Sequence, residues 1–130
     1  MINEIKVVPL KEVNGIKFGT DRQEIREVFG ECKEFKKTPF SSNTADDFGS
    51  FHVFYDKDDK FEAIEVFGDI KVILESDVIF PGKIGNLINC VDGFVEESGY
   101  YTNYDLSIGT SLIGDELESL CIGCKDYYVN

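Results

Sequence analysis

The sequence predicts an α+β fold, with a mainly antiparallel β-sheet of about five or six strands and two short helices packed on it. Runs of aromatic and β-branched residues are separated by short polar turns, a pattern typical of hairpin-linked strands. Only two segments place apolar residues at helical spacing. The chain has 130 residues with neither a repeat nor a clear linker, so we expect a single domain over residues 1–130.

The first part of the chain predicts a strand followed by a helix. Residues 2–8 alternate loosely between apolar and polar side chains. Thr20 is a good N-cap and Gln23 follows three residues later, as in a capping box. Gly30 would end this helix. Its face toward the sheet would carry Ile25, Val28 and Phe29.

Residues 31–49 show weak periodicity and contain proline, serine, asparagine and glycine. We expect a surface loop there, with a brief strand at residues 32–36. A loop of this length in a small domain is either functional or a flexible connection, and the sequence leaves both open.

Residues 51–67 predict the central β-hairpin, with Asp58 and Asp59 at its turn. Counting outward from the turn gives the expected pairs Asp56–Phe61, Val53–Ile64 and His52–Glu65. The core face would carry Phe51, Val53, Tyr55, Ile64 and Val66. The opposite face would carry His52, Phe54, Phe61, Ala63, Glu65 and Phe67.

The remaining segments complete the predicted fold. Residues 70–74 would add a third strand antiparallel to the hairpin. Residues 83–92 predict the second helix, and its buried stripe would consist of Ile84, Leu87, Ile88 and Val91. Residues 106–113 and 117–122 predict a second hairpin, and residues 125–130 would dock at an edge or fray.

The chain is strongly acidic, with 25 acidic and 13 basic side chains and a net charge of −12. Such a surface repels nucleic-acid phosphates and anionic membranes and attracts cationic partners. The alternative interpretation is that the negative charge serves only to keep the protein soluble.

The sequence gives no indication of export or membrane insertion. The N-terminal residues carry charges throughout, and no run approaches the ~20 apolar residues of a membrane span. We therefore expect a cytoplasmic protein. Its four cysteines would then be reduced thiols.

Candidate catalytic and metal-binding groups are few. Cys121 and Cys124 have the spacing of a zinc knuckle or redox motif, but they fall at the end of a strand with no second ligand pair. His52 opposite Glu65 could be an acid–base pair or an ordinary cross-strand pair. We therefore predict no catalytic residue, no metal and no cofactor; the alternative is a small enzyme or metal-binding domain using His52, Glu65 and the cysteines.

Acidic residues beside aromatic residues predict a surface for binding a basic protein. The expected rim charges are Asp46, Asp47, Asp58, Asp59, Glu96 and Glu97. Tyr100 or Tyr101 would be the aromatic anchor. The alternative interpretation is that these aromatic residues only pack in the core or on a face of the sheet.

Three stretches carry a resemblance to a group of proteins: residues 14–19, residues 21–30 and the hairpin of residues 51–68. Together they resemble small bacterial proteins that look like immunity proteins of polymorphic or contact-dependent toxin systems. The helix phrase, residues 19–25 with residues 29–30, is also similar to the short helix of the outer-membrane-assembly lipoprotein and β-lactamase-inhibitor-like fold. Those proteins are exported, whereas this sequence shows no signal or lipobox.

The first resemblance implies a binder or inhibitor without catalytic residues. We therefore expect an intracellular immunity or inhibitor protein that binds and neutralises a basic protein, such as a toxin domain. An acidic surface speeds association with a cationic toxin and blocks a phosphate-binding cleft.

Overall fold

The computed structural model describes residues 2–129 and contains two helices, α1 (Arg22–Phe29) and α2 (Ile84–Cys90), within that range. The same residues form thirteen strands: β1 (Glu4–Val8), β2 (Glu12–Val13), β3 (Ile16–Lys17), β4 (Lys33–Phe35), β5 (Ala45–Asp47), β6 (Phe51–Tyr55), β7 (Phe61–Val66), β8 (Lys71–Leu74), β9 (Asp77–Phe80), β10 (Phe94–Glu97), β11 (Tyr100–Asn103), β12 (Ile108–Ile113) and β13 (Glu116–Gly123).

The strands form two sheets, whereas the sequence predicted one sheet of five or six strands. The larger sheet has eight strands in the order β10-β11-β12-β13-β7-β6-β5-β4, all paired antiparallel. The smaller sheet has the order β3-β2-β1-β8-β9 and includes one parallel pair, β1 with β8. The α+β class and the mainly antiparallel pairing are confirmed. The predicted strand number is too low because strands of two to four residues carry almost no periodicity.

The central hairpin is confirmed, with one change of register near its turn. The expected pairs Val53–Ile64 and His52–Glu65 are present. A β-bulge after Phe54 pairs Tyr55, and not Asp56, with Phe61. Phe61 is therefore wrongly predicted on the outer face; it is buried in the main core. The expected core face is buried as predicted: Phe51, Val53, Tyr55, Ile64 and Val66.

The predicted extension of this hairpin by residues 70–74 is wrong. β8 lies in the smaller sheet between β1 and β9, while β7 pairs with β13. The strand that takes the place of β8 beside β7 is β13, and a strand beside β8 is β1. Both are distant in the chain from their partners, so no local sequence pattern could indicate these pairings.

Helix α1 differs from the prediction at its start and on one face. Asp21 occupies the N-cap position without a side-chain capping bond, and Thr20 instead donates its hydroxyl to the Lys17 carbonyl. Gly30 ends the helix as expected. The prediction that Val28 is buried is wrong, since its side chain is 60% exposed. The inward stripe instead consists of Arg22, Ile25, Arg26 and Phe29, which follow i, i+3, i+4 and i+7 spacing.

Helix α2 packs beside β9 and buries Ile84 and Leu87. Val91 is buried just beyond its last turn. Ile88 was also expected in the core, but it is 36% exposed. The helix has two turns, so its inward stripe accommodates fewer side chains than the sequence pattern suggested.

In residues 31–49, the brief strand expected at residues 32–36 is confirmed as β4, but the rest was expected to be a surface loop and contains β5, which pairs with β4 at one edge of the larger sheet. Asp46 and Asp47 consequently lie in a strand and pair with Val53 and His52 of β6. The second hairpin is confirmed as β12 and β13.

The C-terminal segment docks on the larger sheet through Tyr127 and Tyr128. A Cβ atom added at Gly123 would lie 2.6 Å from the Tyr127 side chain. One added at Gly109 would overlap the Tyr128 phenol. The two glycines therefore provide the space that the tyrosine rings occupy.

A continuous cluster of buried side chains joins both sheets and both helices. The residues that were predicted to be buried together and are confirmed are Ile25, Val53, Ile64, Val66, Leu87 and Val91. No helix within residues 2–129 is both long enough and apolar enough to cross a membrane.

Candidate functional site

The residues predicted to contact a partner lie at two separate ends of the larger sheet. Asp46 and Asp47 are on β5, and Asp58 and Asp59 are in the turn between β6 and β7. The other predicted contacts, Glu96, Glu97, Tyr100 and Tyr101, are on β10 and β11. Six strand spacings separate β10 from β5, on the order of 30 Å in a flat sheet. The two groups do not form one continuous patch.

Asp46 is not on the surface, contrary to the prediction that it is a rim charge. Its side chain has no exposed area and points to the core face of β5. Arg22 and Arg26 lie one turn apart on α1, so both guanidinium groups reach its Oδ1 atom at 2.7 Å. The Tyr55 hydroxyl donates to Oδ2 at 2.8 Å.

These contacts keep the buried Asp46 carboxylate ionised. Burial alone would raise the pKa of Asp46, but hydrogen bonds from Arg26, Arg22 and Tyr55 hold it well below its ordinary value. Burial and the bond to Asp46 raise the pKa of the Tyr55 phenol. The cluster joins α1 to the edge of the larger sheet, which is a structural role.

Asp59 is exposed but engaged within the chain. It accepts from Arg22 Nη1 at 3.2 Å and from the Asn43 side-chain amide at 3.0 Å. Asp47 is half-buried and accepts from the Gly49 amide at 2.8 Å. Asp58 is exposed beside them in the turn. Of these three carboxylates, Asp58 is the one most available to a partner.

The β10–β11 hairpin presents carboxylates and aromatic rings together. Glu97 pairs with Tyr100, and Glu96 pairs with Tyr101. Tyr100 is 55% exposed, and the Tyr104 hydroxyl donates to Glu97 at 2.5 Å. Tyr101 is only half-exposed and packs against the core. Tyr100 is therefore the better placed of the two predicted anchors.

The outward side of the larger sheet contains a second feature, here called the outer-face pocket. It has a volume of about 440 Å³ and is lined by Phe35, Lys37, His52, Phe54, Glu65, Cys121, Tyr127 and Tyr128. Strands β4, β6, β7 and β13 supply its floor, and the C-terminal segment supplies one wall.

His52 is held in this pocket mainly by aromatic packing. Its ring centroid lies 4.5 Å from that of Phe35 and 4.6 Å from that of Phe67. The carboxylates of Asp47 and Glu65 lie 3.6 and 3.8 Å from its two ring nitrogens. Both distances exceed those of ordinary hydrogen bonds, so the carboxylates act on the ring as nearby charges.

The Cys121 thiol faces the same pocket. Burial raises its pKa to about 11, so the thiol is protonated at neutral pH and is a poor nucleophile. All four cysteines are free thiols. Among residues 2–129, no group of three or more His, Cys, Asp or Glu side chains lies close enough together to hold a metal ion.

Comparison of the chain with protein-family models, curated proteins and solved structures finds no match.

Sequence reasoning missed three residues that shape these sites: Arg22, Arg26 and Lys37. The i, i+4 spacing of the two arginines, on the same helix face as Ile25, was a signal for a buried acid opposite them. For Lys37 there was no such signal, because its contacts with Phe54 and Tyr127 join segments that are distant in the chain.

Proposed function

We propose that this protein is an immunity- or inhibitor-type protein that binds and neutralises a basic protein, such as a toxin domain. It would act by occupying the partner's surface and not by catalysis. The observation that best supports this proposal is the β10–β11 hairpin, where the exposed Tyr100 ring lies directly opposite Glu97, while Glu96 pairs with Tyr101 on the other face.

The hairpin combines the two features that recognition of a basic protein requires. An exposed aromatic ring can be buried by a partner and slow dissociation, as hot-spot residues do. The Glu97 carboxylate beside it, together with Glu96 on the other face of the hairpin, attracts a cationic surface over several ångströms and speeds association. With a net charge of −12, the rest of the molecule adds to that attraction.

The hairpin also lies at the end of the larger sheet, since β10 has a neighbour on one side. A partner could therefore approach it without displacing another strand. Asp58, exposed at the β6–β7 turn, would be a separate and secondary contact.

The proposed location is the cytoplasm. The four free thiols favour this compartment, where cysteines stay reduced. An inhibitor of a nuclease-type toxin is needed in the compartment that contains the nucleic acid.

A second candidate function is a small enzyme or metal-binding domain that uses His52, Glu65 and Cys121, because these residues line one pocket. The protonated Cys121 thiol and the separation of 3.8 Å between His52 and Glu65 make this the weaker candidate. Zinc analysis of protein purified without added metal discriminates between the two functions. Stoichiometric zinc that is lost in a His52→Ala variant would favour the second.

The proposed function is tested by co-expression. The reading frames flanking the gene would each be expressed in a bacterial host, with and without this protein. We expect one of them to arrest growth and this protein to restore it. The restored growth should weaken in a Glu96→Gln/Glu97→Gln/Tyr100→Ala variant that is as soluble as the wild type. If no flanking product is toxic, or if none is relieved, the proposal is wrong.

A further inference from the structure

We propose that the outer-face pocket is a recognition site for the ammonium group of a lysine side chain, and that Lys37 occupies it in the free protein. Assigning that incoming lysine to a basic protein partner rests on the function proposed above. The ammonium site itself follows from the geometry of the pocket.

The position of Lys37 shows what kind of group the pocket accepts. Its Nζ atom lies 4.5 Å from the centroid of the Phe54 ring, within cation–π range. It also donates to the Tyr127 hydroxyl at 2.6 Å, and its distance of 5.2 Å from the Tyr127 ring centroid places it beyond that hydroxyl, at the edge of the ring. One ring face and one oxygen thus contact one ammonium group.

The charges near this position favour a cation. Glu65 lines the pocket, and the Asp47 carboxylate lies 3.6 Å from the His52 ring that also lines it. Glu62 is close enough to respond to Lys37: burial and Asp56 raise the pKa of Glu62, and the Lys37 ammonium lowers it in part. Three carboxylates thus lie in or near the pocket that Lys37 occupies, although none forms an ion pair with it within 4.0 Å.

The aromatic side chains that line the pocket are fixed in position, whereas Lys37, which occupies the pocket, lies on the segment that connects β4 and β5. Phe54 is in the middle of the larger sheet and is nearly buried. Tyr127 packs against the backbone at Gly123, where any larger residue would collide with it. Lys37 is an exposed residue in the segment between β4 and β5. Another lysine can replace it with movement of that segment alone, because Phe54 is fixed in the sheet and Tyr127 is packed at Gly123.

Binding of a partner's lysine in place of Lys37 would also provide a selectivity for lysine side chains that net charge does not provide. Net charge attracts any cation from a distance, whereas one ring face and a phenol oxygen bind one side chain at a defined position. The pocket would thus anchor a single lysine of the partner, separately from the contacts at the β10–β11 hairpin.

The test is an NMR titration of the intact protein with Nα-acetyl-lysine amide, following the ring signals of Phe54 and Tyr127. A Lys37→Met variant removes the internal ammonium and retains a chain of similar length. Lys36→Met is the matched control, because Lys36 is exposed and either substitution changes the net charge from −12 to −13. We expect Lys37→Met to bind the probe about tenfold more tightly than Lys36→Met, as loss of a competing cation held by one ring face and a hydroxyl oxygen implies.

Adding Phe54→Leu to Lys37→Met should reverse this gain by removing one ring face. Equal affinities of Lys37→Met and Lys36→Met, or shifts that avoid Phe54 and Tyr127, would overturn the proposal. That comparison is decisive even if the Phe54 variant does not fold, because both lysine substitutions are at exposed positions. The probe contains no partner protein, so a negative result would leave the proposed function standing. Failure of the co-expression test would likewise leave the ammonium site standing.

Discussion

Arg26 of α1 holds the buried carboxylate of Asp46 on β5 by two hydrogen bonds, from Nη2 to Oδ1 at 2.7 Å and from Nε to Oδ2 at 2.9 Å. This bidentate geometry is the strongest arrangement available to an arginine and a carboxylate. Arg22 and Tyr55 complete the set of donors around Asp46. A short helix that would be marginal alone is thereby fixed to the edge strands of the larger sheet.

Replacing Asp46 by Asn should strongly destabilise the fold. The substitution removes the buried negative charge that two arginines share and leaves them only the more exposed carboxylates of Asp59 and Glu34. Loss of one partner from a buried ion pair costs about 3–5 kcal/mol. Urea denaturation would measure this as a decrease in the free energy of unfolding.

The matched control is Asp58→Asn, which makes the same chemical change at an exposed turn residue. It should alter the free energy of unfolding by less than about 0.5 kcal/mol. Equal effects of the two substitutions would mean that the Asp46 cluster contributes no specific stability.

The stability of the protein should fall in acid because of Asp46. Its pKa is lower in the folded state than in the unfolded chain, so ionisation of Asp46 stabilises the fold above the unfolded value of about 3.9. That contribution is lost as the pH falls through the lower, folded value. Between about pH 5 and pH 2, the free energy of unfolding should decline more steeply for Asp58→Asn than for Asp46→Asn. Parallel curves would contradict this assignment.

Ile64→Ala should cost about 2–5 kcal/mol, because the side chain is fully buried opposite Val53. The comparison variant is Ile113→Ala, at a strand position that is 67% exposed. This substitution removes the same side-chain atoms as Ile64→Ala, but from a position that is exposed to water. It should therefore change the free energy of unfolding little. Denaturant titration of both variants gives the difference directly, and a small cost for Ile64→Ala would place that side chain in water.

Gly109→Ala should destabilise the protein by about 1–3 kcal/mol, since the new methyl group overlaps the Tyr128 phenol. Faster amide exchange in the C-terminal segment should accompany the loss. Gly85→Ala is the control, because a Cβ there meets no atom within 4 Å and lies in α2. It should be neutral or stabilising by up to about 1 kcal/mol. Unchanged exchange at Tyr128 in the Gly109 variant would show that the tail is not held at this position.

Binding to a partner found by the co-expression test should depend on salt and on Tyr100. Glu96→Gln/Glu97→Gln should slow association several-fold at low ionic strength, and the effect should shrink as salt is added. Tyr100→Ala should act mainly on dissociation and could cost more than ~2 kcal/mol. Glu24→Gln/Glu27→Gln makes the same charge change on the exposed side of α1. If that control slows association equally in stopped-flow measurements, net charge alone governs the rate.

The sequence by itself determined the local structure of the central hairpin. Strands β6 and β7 alternate β-branched and aromatic residues about a polar turn, so their pairing and their buried face follow from adjacent residues. The end of α1 at Gly30 and the pairing of β12 with β13 are local in the same sense. The pairing predicted for the last residues of the hairpin was wrong because a bulge shifts register without a clear sequence signal.

Only the tertiary structure decided which acidic residues are available at the surface. Asp46 and Asp47 are adjacent and chemically identical, yet β5 turns one toward α1 and the other toward His52, because successive strand residues face opposite sides. The outer-face pocket likewise depends on Lys37, Phe54 and Tyr127, which come together only when β4, β6 and the C-terminal segment are assembled. Residue patterns report neighbours in the chain, whereas burial of a charge and the position of an ammonium group depend on contacts between distant segments.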